Sequence, residues 1–396
     1  MDILVINAGS SSLKFTLFRG EEAAARGHYL DIGETVAKQE CVRKTEVLGA
    51  VHSSSMKIRD HGEAIVDMLG ILKESALLSG GRDLAAVGHR VVHGGERYEG
   101  AARVTPGMLD YLRGISDLAP LHNPVGIACI NALAGLLPGT PQYAVFDTAF
   151  HRTMPEPVYR YALPPKLCDG YGIRKYGFHG TSHKYAAHRA AGLLGRDIAG
   201  MNIITCHLGN GQSICAVSGG RSVDTSMGFT PLEGLPMGTR SGSFDPEVIL
   251  FLLEKGLGPE RIKAIVNKES GLLGVSGIDS HYKVIEEKAR AGDRAAQLAC
   301  DMLVNRITCT IGGYCAEMGG VDAIVFTGGI GENSAFVREQ VLSHFGYLGL
   351  VLDKEANAAH GTIITAPSSA VRALVIPANE ELQIAREVRE ALREGR

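Results

Sequence analysis

A chain of 396 residues, at roughly 150 residues per domain, can form two or three domains that each bury a core of their own. Charged residues at 21% and hydrophobic residues at 45% are ordinary for a folded protein and argue against long disordered segments. The net charge of -3 offers no field that would gather a polyanion, which argues against nucleic acid as a partner.

The cysteine pattern and the first residues of the sequence indicate where in the cell the protein is located. The eight cysteines contain no CxxC pair, a pattern that favours reduced thiols over a disulfide or zinc framework. The opening "MDILVINAGS" has an acid at Asp2 and too short an apolar run for a signal peptide. No stretch reaches the roughly 18 apolar residues of a membrane span. We therefore expect a cytoplasmic protein with no membrane partner.

The first predicted element is a β-hairpin. Residues 3 to 6 and 13 to 18 are interpreted as strands joined by a turn rich in glycine and serine. The segment "NIITCHLGNGQSICAVSGG" repeats this figure two hundred positions later, with Gly209 in the place of Gly9. Two copies predict two related domains. Strands that alternate with helices after each hairpin predict the α/β class, with a sheet that is partly antiparallel at its start.

Helix signals follow in the second half of the chain. Asp245 and a proline before "EVILFLLEKG" predict a helix that stops at Gly256. Residues 293 to 318 predict one long helix. The tail from Glu380 has apolar residues at helical spacing on one face, which predicts that it docks on a domain. Between residues 146 and 157, prolines interrupt the alternation of predicted strands and helices, and we place the domain boundary there.

The opening turn has the features of a phosphate nest. Glycine frees main-chain N–H groups, Ser10, Ser11 and Ser12 add hydroxyl donors, and Lys14 follows directly. The chain contains no GxxxxGK[ST] motif, so this is not a Walker A loop. A hairpin with a polar turn is the equally weighted alternative.

A third glycine-rich loop lies in "VDAIVFTGGIGENS". It predicts a buried strand over residues 321 to 327, a turn, and a helix from Asn333 or Ser334. Glycines between a strand and a helix let a ligand lie against bare backbone at the positive end of the helix. A plain strand-to-helix turn is the alternative.

The segment "GHRVVHGG" contains a candidate carboxylate binder. Strand alternation puts Arg90 and Val92 on one face and His89 on the other. A bidentate guanidinium beside a small apolar side chain suits a short carboxylic acid. An arginine in an internal ion pair fits the pattern equally well.

The histidines of "YGFHGTSHKYAAH" are interpreted in two ways. Residues 181 and 182 predict the N-cap of a helix that runs to Leu194, with His179 placed to donate to an oxyanion near the helix dipole. Local hydrogen bonding is the simpler role for an isolated histidine. His183 and His188 are interpreted as ordinary helix-face residues.

Charged residues near loops complete the candidate set. Arg240 lies in "VDTSMGFTPLEGLPMGTRSGS", a loop of the kind that carries function on a rigid scaffold. It either neutralises a phosphoryl group or is a solvated cation. Asp147, after the predicted strand "QYAVF", and Glu380 are carboxylates available to magnesium. Turn capping and a helix N-terminus are the plain alternatives for these two acids.

Taken together, nine ordered motifs resemble the acetate kinase family from end to end. They are "NAGSSSLKF", "GHRVVHGG", "FDTAFH", "YGIRKYGFHGTSH", "HLGNGQSI", "VDTSMGFTPLEGL", "MGTRSG", "FTGGIGENS" and "NEEL". The resemblance implies an α/β fold of two related actin-like (ribonuclease H-like) domains around a nucleotide cleft, in a homodimer. The implied domains are residues 1–149 on the acid-binding side and 150–380 on the nucleotide side, with helix 381–396 docking on the first.

The resemblance also implies a role for individual positions. The implied ligands of Mg²⁺ (or Mn²⁺) are Asn7 and Glu380. The implied catalytic residues are Arg90, Asp147, His179 and Arg240, the last two as the pair that stabilises the transition state. Arg90 also resembles the binder of the substrate carboxylate. The other implied substrate-binding residues are Val92, Leu121, Phe178 and Pro231, which line the methyl pocket, and His122, near the transferred phosphate. The implied ATP contacts are Ser10, Ser12, Lys14, His207, Leu208, Gly209, Asn210, Gly211, His281, Tyr282, Lys283, Gly329, Ile330, Gly331, Glu332 and Asn333.

Two segments depart from the family pattern. "DSHYKV", residues 279 to 284, stands where the family has "SSDxRD" beside the adenine, so the resemblance leaves the nucleotide base open. "SGSFDP" stands in place of "SGDIDP", which puts Ser243 where an acid is expected.

The activity that the resemblance implies is reversible transfer of the γ-phosphoryl group of ATP to acetate by direct in-line attack, giving acetyl phosphate and ADP. A kinase for propionate or another short acid is the first alternative, which Val92 disfavours because a smaller side chain would leave more room. A nucleotide-gated binding or filament module of the same superfamily is the second, and it has no need of Arg90 beside Val92. The expected partners are acetate, ATP and a second copy of the chain.

Overall fold

The chain folds as two compact units. The computed structural model describes residues 1–33, 40–78, 84–120 and 122–396, so the pocket residue Leu121 lies outside the described residues. Unit 1 comprises Met1–Phe150 and Asn379–Arg396, and unit 2 comprises His151–Ala378. Each unit has its own sheet and its own apolar core.

The described residues form thirteen strands and fifteen α-helices. The strands are β1 (Asp2–Ala8), β2 (Ser12–Arg19), β3 (Glu22–Leu30), β4 (Cys41–Val47), β5 (Ala50–Met56), β6 (Leu84–Val91), β7 (Ala102–Arg103), β8 (Gln142–Phe146), β9 (Asn202–Leu208), β10 (Gln212–Ser218), β11 (Arg221–Thr225), β12 (Ala323–Thr327) and β13 (Arg372–Val375). The helices are α1 (His61–Glu74), α2 (Pro106–Gly114), α3 (Asn123–Leu136), α4 (Glu156–Tyr159), α5 (Pro165–Tyr171), α6 (Gly180–Leu193), α7 (Glu247–Glu254), α8 (Pro259–Lys268), α9 (Gly271–Ser276), α10 (Tyr282–Arg290), α11 (Arg294–Glu317), α12 (Gly328–Asn333), α13 (Ala335–Leu342), α14 (Lys354–Ala358) and α15 (Glu380–Arg393).

The two sheets repeat one strand order. Unit 1 has the order β5-β4-β3-β2-β1-β6-β8-β7, and unit 2 has β11-β10-β9-β12-β13. Strand β1 pairs antiparallel with β2 and parallel with β6, and β9 pairs in the same way with β10 and β12. The series β3-β2-β1-β6-β8 is therefore repeated in unit 2. The predicted fold class, two related α/β units with partly antiparallel sheets, is confirmed.

Helix α15 packs on the centre of the first sheet. It contacts β1 and β6, and a Cβ added to Gly88 of β6 would lie 3.0 Å from side-chain atoms of both Ile384 and Val388. Both apolar residues lie on the buried face that the helical spacing predicts. This packing carries Glu380, at the start of the helix, to the ends of β1 and β6 where the candidate site residues of unit 1 lie.

The third glycine-rich segment differs from its prediction. Strand β12 begins at Ala323 rather than at residue 321, and helix α12 forms within the glycine-rich segment itself. A separate helix, α13, begins after Ser334, whose hydroxyl accepts a hydrogen bond from the main-chain N–H of Val337. The low helix propensity of glycine hid the first of these two helices in the sequence.

Two further findings concern the whole chain. Across the four described ranges, none of the helices has the length and hydropathy of a membrane span. All eight cysteines are free, and every one except Cys309 is buried.

Buried imidazoles should make both units sensitive to acid. Burial lowers the pKa of His89 in unit 1 and of His151 in unit 2 to about 4. Because the unfolded chain then binds more protons than the folded chain between pH 6.5 and 4, the stability contributed by each neutral imidazole is complete above pH 6.5. It is lost as the pH falls toward 4, at a cost of roughly 3 kcal/mol per group.

We therefore expect the urea midpoint of unfolding, followed by circular dichroism, to fall steeply between pH 6.5 and 4.5. The variant His89→Gln, which keeps a hydrogen-bonding partner for Gln142 but does not titrate, should lose less stability over this range. His52→Gln, at an exposed position of β5, is the matched control. A midpoint that stays constant over the range would contradict the prediction.

Candidate active site

In unit 1, the guanidinium of Arg90 lies among oxygen atoms at the end of β6. Its Nε and Nη2 donate to the carboxylate of Asp147 at 2.6 to 3.1 Å, and its Nη1 donates to Oδ1 of Asn7 at 3.1 Å. Oε2 of Glu380 lies 3.8 Å from the same Nη1. Burial acts to lower the pKa of Arg90, but these negative charges outweigh it and raise the pKa above its usual range.

The alternative that the sequence left open for Arg90 is thus present: the residue forms an internal ion pair. The cause of this ion pair is topological. Strands β6 and β8 are parallel neighbours, so Arg90 at the end of one and Asp147 after the other meet at the same edge. Hydrogen bonds within the described residues use three of the five guanidinium N–H groups, which leaves two for a ligand.

The structure describes four of the five residues predicted for the substrate pocket. Val92 lies one residue beyond β6 and is half-buried, and His122 occupies the N-cap of α3. Pro231 of unit 2 is half-buried, whereas Phe178 is only 2% exposed. The assembly of these side chains into one pocket stays a prediction.

The opening turn is closed by backbone and clamped by a histidine. The N–H of Gly9 donates to the carbonyl of Ser12 at 2.8 Å, and Nε2 of His61 donates to the carbonyl of Gly9 at 2.8 Å. Ser10 and Lys14 are exposed, so their side chains are accessible to a ligand. Sequence reasoning missed His61, which reaches the turn from the first position of α1.

In unit 2, two glycine-rich segments touch through their backbones. The turn from Gly209 to Gly211 joins β9 to β10, and the parallel pairing of β9 with β12 brings it beside α12. A Cβ added to Gly209 would lie 3.8 Å from the main-chain nitrogen of Gly329. Gly328 has a φ of +78°, and a Cβ there would lie 2.7 Å from the carbonyl oxygen of Leu208, so only glycine fits.

His179 and Arg240 converge beside this turn. A Cβ added to Gly211 would lie 3.4 Å from Nε2 of His179 and 3.8 Å from Nη1 of Arg240. His179 itself is the N-cap of α6, with a left-handed φ of +57°, so the predicted N-cap at residues 181 and 182 is wrong. A non-glycine residue in this region is uncommon and is held there by its surroundings.

Arg240 is a partly buried cation. Its Nη1 lies 3.7 Å from Sδ of Met237, and no carboxylate of the described ranges lies within ion-pair distance of its guanidinium. Burial lowers the pKa of Arg240, because nothing nearby compensates for the water that the charge has lost. Such a group binds an anion more strongly than an exposed arginine does.

Two predicted ATP contacts have side chains that are engaged within unit 2. Oε1 of Glu332 accepts hydrogen bonds from the N–H groups of Gly328 and Ala378 at 2.8 and 2.9 Å. Nδ2 of Asn333 donates to the carbonyl of Gly329 at 2.9 Å. In this conformation the two side chains brace the glycine-rich helix.

In residues 279 to 284, the segment at the position of the family's adenine site, some side chains are buried and others are exposed. Tyr282 is 5% exposed and its side chain packs in the core of unit 2, and its contact with a nucleotide stays a prediction. His281 and Lys283 are exposed, and Nδ1 of His281 lies 2.9 Å from Oδ1 of Asp279. The alternation of exposed and buried side chains follows from the start of α10 at Tyr282.

Loop packing brings this segment to the glycine turn. A Cβ added to Gly238 would lie 2.5 Å from Oδ1 of Asn210 and 2.9 Å from the carbonyl oxygen of Ser280. Ser243, at the position where an acid was expected, accepts a hydrogen bond from the N–H of Gly234 at 2.9 Å. Its hydroxyl therefore closes the loop that contains Arg240.

These features coincide with a whole-chain match to one family model, described as the Acetokinase family, over residues 2–386. The chain belongs to the acetokinase family. An acetate kinase of Bacillus cytotoxicus is 47% identical over 391 residues, which cover 98% of each chain. Among solved structures, this family member is similar to Porphyromonas gingivalis acetate kinase, with 41% identity, 99% of each chain covered and a TM-score of 0.91. It is also similar to a Francisella tularensis propionate kinase, with 38% identity, 98% coverage of each chain and a TM-score of 0.90.

One buried histidine of this acetokinase-family chain was misinterpreted in the sequence. His183 is fully buried rather than an ordinary helix-face residue, and both of its ring nitrogens have hydroxyl partners. The partners are Thr205 on β9 and Ser213 on β10. Hydroxyl residues inside the apolar strands "NIITCHL" and "QSICAVS" were the signal available in the sequence, because a buried hydroxyl requires a partner.

A methyl group at Gly211 should obstruct the acetokinase site without unfolding it. In Gly211→Ala, the added Cβ would lie 3.3 Å from Cε1 of His179, a separation that displaces the ring by a few tenths of an ångström. If His179 acts on the transition state as the resemblance predicts, kcat should fall by about tenfold or more, because a misplaced donor loses most of its effect. Gly312→Ala, on α11 with open space around it, is the matched control. Equal steady-state rates for the two variants would contradict the expectation.

Proposed function

We propose that the chain is an acetate kinase, which transfers the γ-phosphoryl group of ATP to acetate and gives acetyl phosphate and ADP reversibly. The observation that carries the proposal is the convergence of His179 Nε2 and Arg240 Nη1 on one point beside the glycine turn. In a chain of the acetokinase family, such a pair of donors supports binding of a phosphoryl group in transfer.

The chemistry requires positioning more than proton transfer. Acetate is ionised near neutral pH, so no strong base is needed, and catalysis rests on in-line alignment and charge neutralisation. In the proposal, Arg90 holds the acceptor with its two remaining N–H groups while Asp147 fixes the guanidinium plane. His179 and Arg240 neutralise charge on the equatorial oxygens.

The residues proposed for magnesium fit a hard cation. Oδ1 of Asn7 and Oε2 of Glu380 both approach Nη1 of Arg90, and the charges of Asp147 and Glu381 also act on this guanidinium. One positive charge among three carboxylates leaves a negative surplus. Mg²⁺ takes a few protein oxygens as ligands and otherwise keeps waters and substrate phosphates. Bound there, the ion would neutralise phosphate charge.

In the proposal, the nucleotide binds to three segments rich in glycine or serine. In unit 2 these are residues 207–211, at the end of β9 and the turn after it, and residues 329–333 of helix α12. In unit 1 they are Ser10, Ser12 and Lys14, in the opening turn and the start of β2. The exposed side chains of His281 and Lys283 are the proposed contacts to the base.

A coupled assay of ADP release with a panel of acids and nucleotides tests the proposal. We expect ATP-dependent ADP release that requires an acid, with kcat/KM highest for acetate and lower for propionate and butyrate. A higher kcat/KM for propionate would make the chain a propionate kinase. ADP release that no short acid stimulates would favour a binding or filament module.

We further propose that the chain forms a homodimer through helix α7. None of the residues of α7 is buried, although its sequence is "EVILFLLE", and Leu250 and Phe251 are each 52% exposed. On α11, Leu298 and Met302 are also exposed, and Arg306 on the same face approaches Ser243 just before α7. A largely apolar face of this kind suits a second copy of itself better than a charged partner.

The paired substitution Leu250→Glu with Phe251→Glu should therefore give a monomer. Light scattering on a size-exclusion column should give twice the 42.1 kDa chain mass for the unmodified protein and the single mass for the variant. Leu163→Glu, which charges an exposed leucine elsewhere in unit 2, is the matched control and should leave the dimer intact. A monomeric unmodified protein would rule out this interface.

We also propose a cytoplasmic location. Eight free cysteines, all but one of them buried, are consistent with a compartment that keeps thiols reduced. The proposed substrates, ATP and acetate, are small cytosolic metabolites in that case.

A further inference from the structure

A continuous line of hydrogen bonds runs through unit 2 from a buried strand to His179. Oγ1 of Thr205 lies 2.7 Å from Nδ1 of His183, and Nε2 of His183 lies 2.7 Å from Oγ of Ser213. Ser213 Oγ in turn lies 2.9 Å from Nδ1 of His179. Each hydroxyl has a single hydrogen to donate, so the line has two possible directions.

The middle of the line is an uncharged imidazole. His183 is fully buried, and burial, reinforced by the charges of His151 and His207, lowers its pKa well below the ordinary value. A neutral ring has one donor nitrogen and one acceptor nitrogen. His183 therefore accepts a hydrogen bond on one side and donates one on the other, and it transmits the direction of the line.

The hydroxyl of Thr205 selects the direction. Thr205 is fully buried, and in the described part of the chain its hydroxyl has no hydrogen-bond partner other than His183. If His183 donated to Thr205, the hydroxyl hydrogen would be buried without an acceptor, an arrangement that is costly in a protein interior. Thr205 therefore donates to Nδ1 of His183, and Nε2 of His183 donates to Ser213.

We propose that Ser213 is a positioning residue for phosphoryl transfer, which donates to Nδ1 of His179 and thereby holds the proton of that ring on Nε2. The direction is imposed from the buried end by the hydroxyl of Thr205. Nε2 of His179 lies with Nη1 of Arg240 beside Gly211. With its proton on Nε2, His179 can therefore donate a hydrogen bond to the proposed phosphoryl group at this place. The catalytic consequence rests on the proposed function, whereas the tautomer of His179 does not.

The tautomer is tested by ¹⁵N NMR of the histidine side chains in the full-length protein without substrate. The signals of His179, assigned by their loss in His179→Asn, should have the pattern of a neutral ring with its proton on Nε2. In Ser213→Ala this pattern should weaken in favour of the other forms, and in Ser213→Thr, which keeps a hydroxyl, it should return. A proton on Nδ1 of His179 in the unmodified protein would overturn the proposal.

The positioning role is tested by steady-state kinetics on the same variants. Ser213→Ala should lower kcat about tenfold with the KM for acetate changed less than twofold, because a misdirected donor acts mainly on the transition state. Ser213→Thr should recover most of the rate. Ser218→Ala removes a hydroxyl from the same strand outside the line and is the matched control. An unchanged kcat in Ser213→Ala would overturn the role, whereas an unmodified protein without acid-dependent activity would overturn the proposed function alone.

Discussion

Replacing Arg240 by alanine should lower kcat by roughly a thousand-fold or more, while the KM for acetate changes less than about threefold. The reason is the environment of the guanidinium, which is partly buried, has no carboxylate partner in the described residues, and lies with Nε2 of His179 beside Gly211. A donor that acts on charge developed during transfer contributes to the transition state and little to binding of the acceptor.

The experiment is a comparison of kcat and KM from coupled ADP-release assays. Arg221→Ala, which removes an exposed arginine from β11 of the same unit, is the matched control and should retain the full rate. Arg240→Lys should recover only part of the loss, because an ammonium group cannot offer a planar fork. A kcat near normal in Arg240→Ala would refute the assignment of this residue.

Replacing Arg90 should affect both stability and acceptor binding. The carboxylate of Asp147 is 2% exposed, so Arg90→Met leaves a buried negative charge without its guanidinium, at an expected cost of about 3–5 kcal/mol in the free energy of unfolding. The double variant Arg90→Met with Asp147→Leu should recover most of this stability, because an apolar pair can replace a buried ion pair. Urea unfolding followed by circular dichroism measures both changes.

Kinetics of the stable double variant then test whether the Arg90–Asp147 pair does more than stabilise the fold. If the pair also acts in the reaction, acid-dependent ADP release should remain lost by at least a hundred-fold although the fold is restored. The surface pair Arg19→Met with Asp2→Leu, also in unit 1, is the control and should change neither property by much. Recovery of activity together with stability would assign Arg90 to the internal ion pair alone.

Local sequence patterns predicted a large part of the fold. Repetition of the glycine hairpin predicted two related units, and both sheets have the same strand order around their hairpins. The long helix α11 begins and ends within one residue of the pattern that predicted it, and the terminal helix α15 begins within one residue of its predicted start, because caps and apolar spacing act over single turns. Local patterns did not predict helix α12, which begins at Gly328, because the glycines in it have a low helix propensity.

The candidate site was predicted less completely. Its motifs indicated which residues carry charge, and the family they resemble is the family that the whole chain matches. Motifs did not indicate that Arg90 binds an internal acid, that the side chain of Tyr282 lies in the core, or that His183 is fully buried. Each of these facts depends on which distant segment lies beside the residue.

By itself, the sequence determined what is encoded over a few neighbouring residues: the hairpins, the helix boundaries, the glycines at close backbone contacts, and the motifs of a phosphotransferase family. Tertiary structure alone decided the partners of the charged and titratable groups. Parallel pairing of β6 with β8 brings Asp147 to Arg90, and pairing of β9 with β10 brings Ser213 between His183 and His179. The physical reason is range: propensity and capping act within a few residues, whereas burial, ion pairing and proton position are set by groups far apart in the chain.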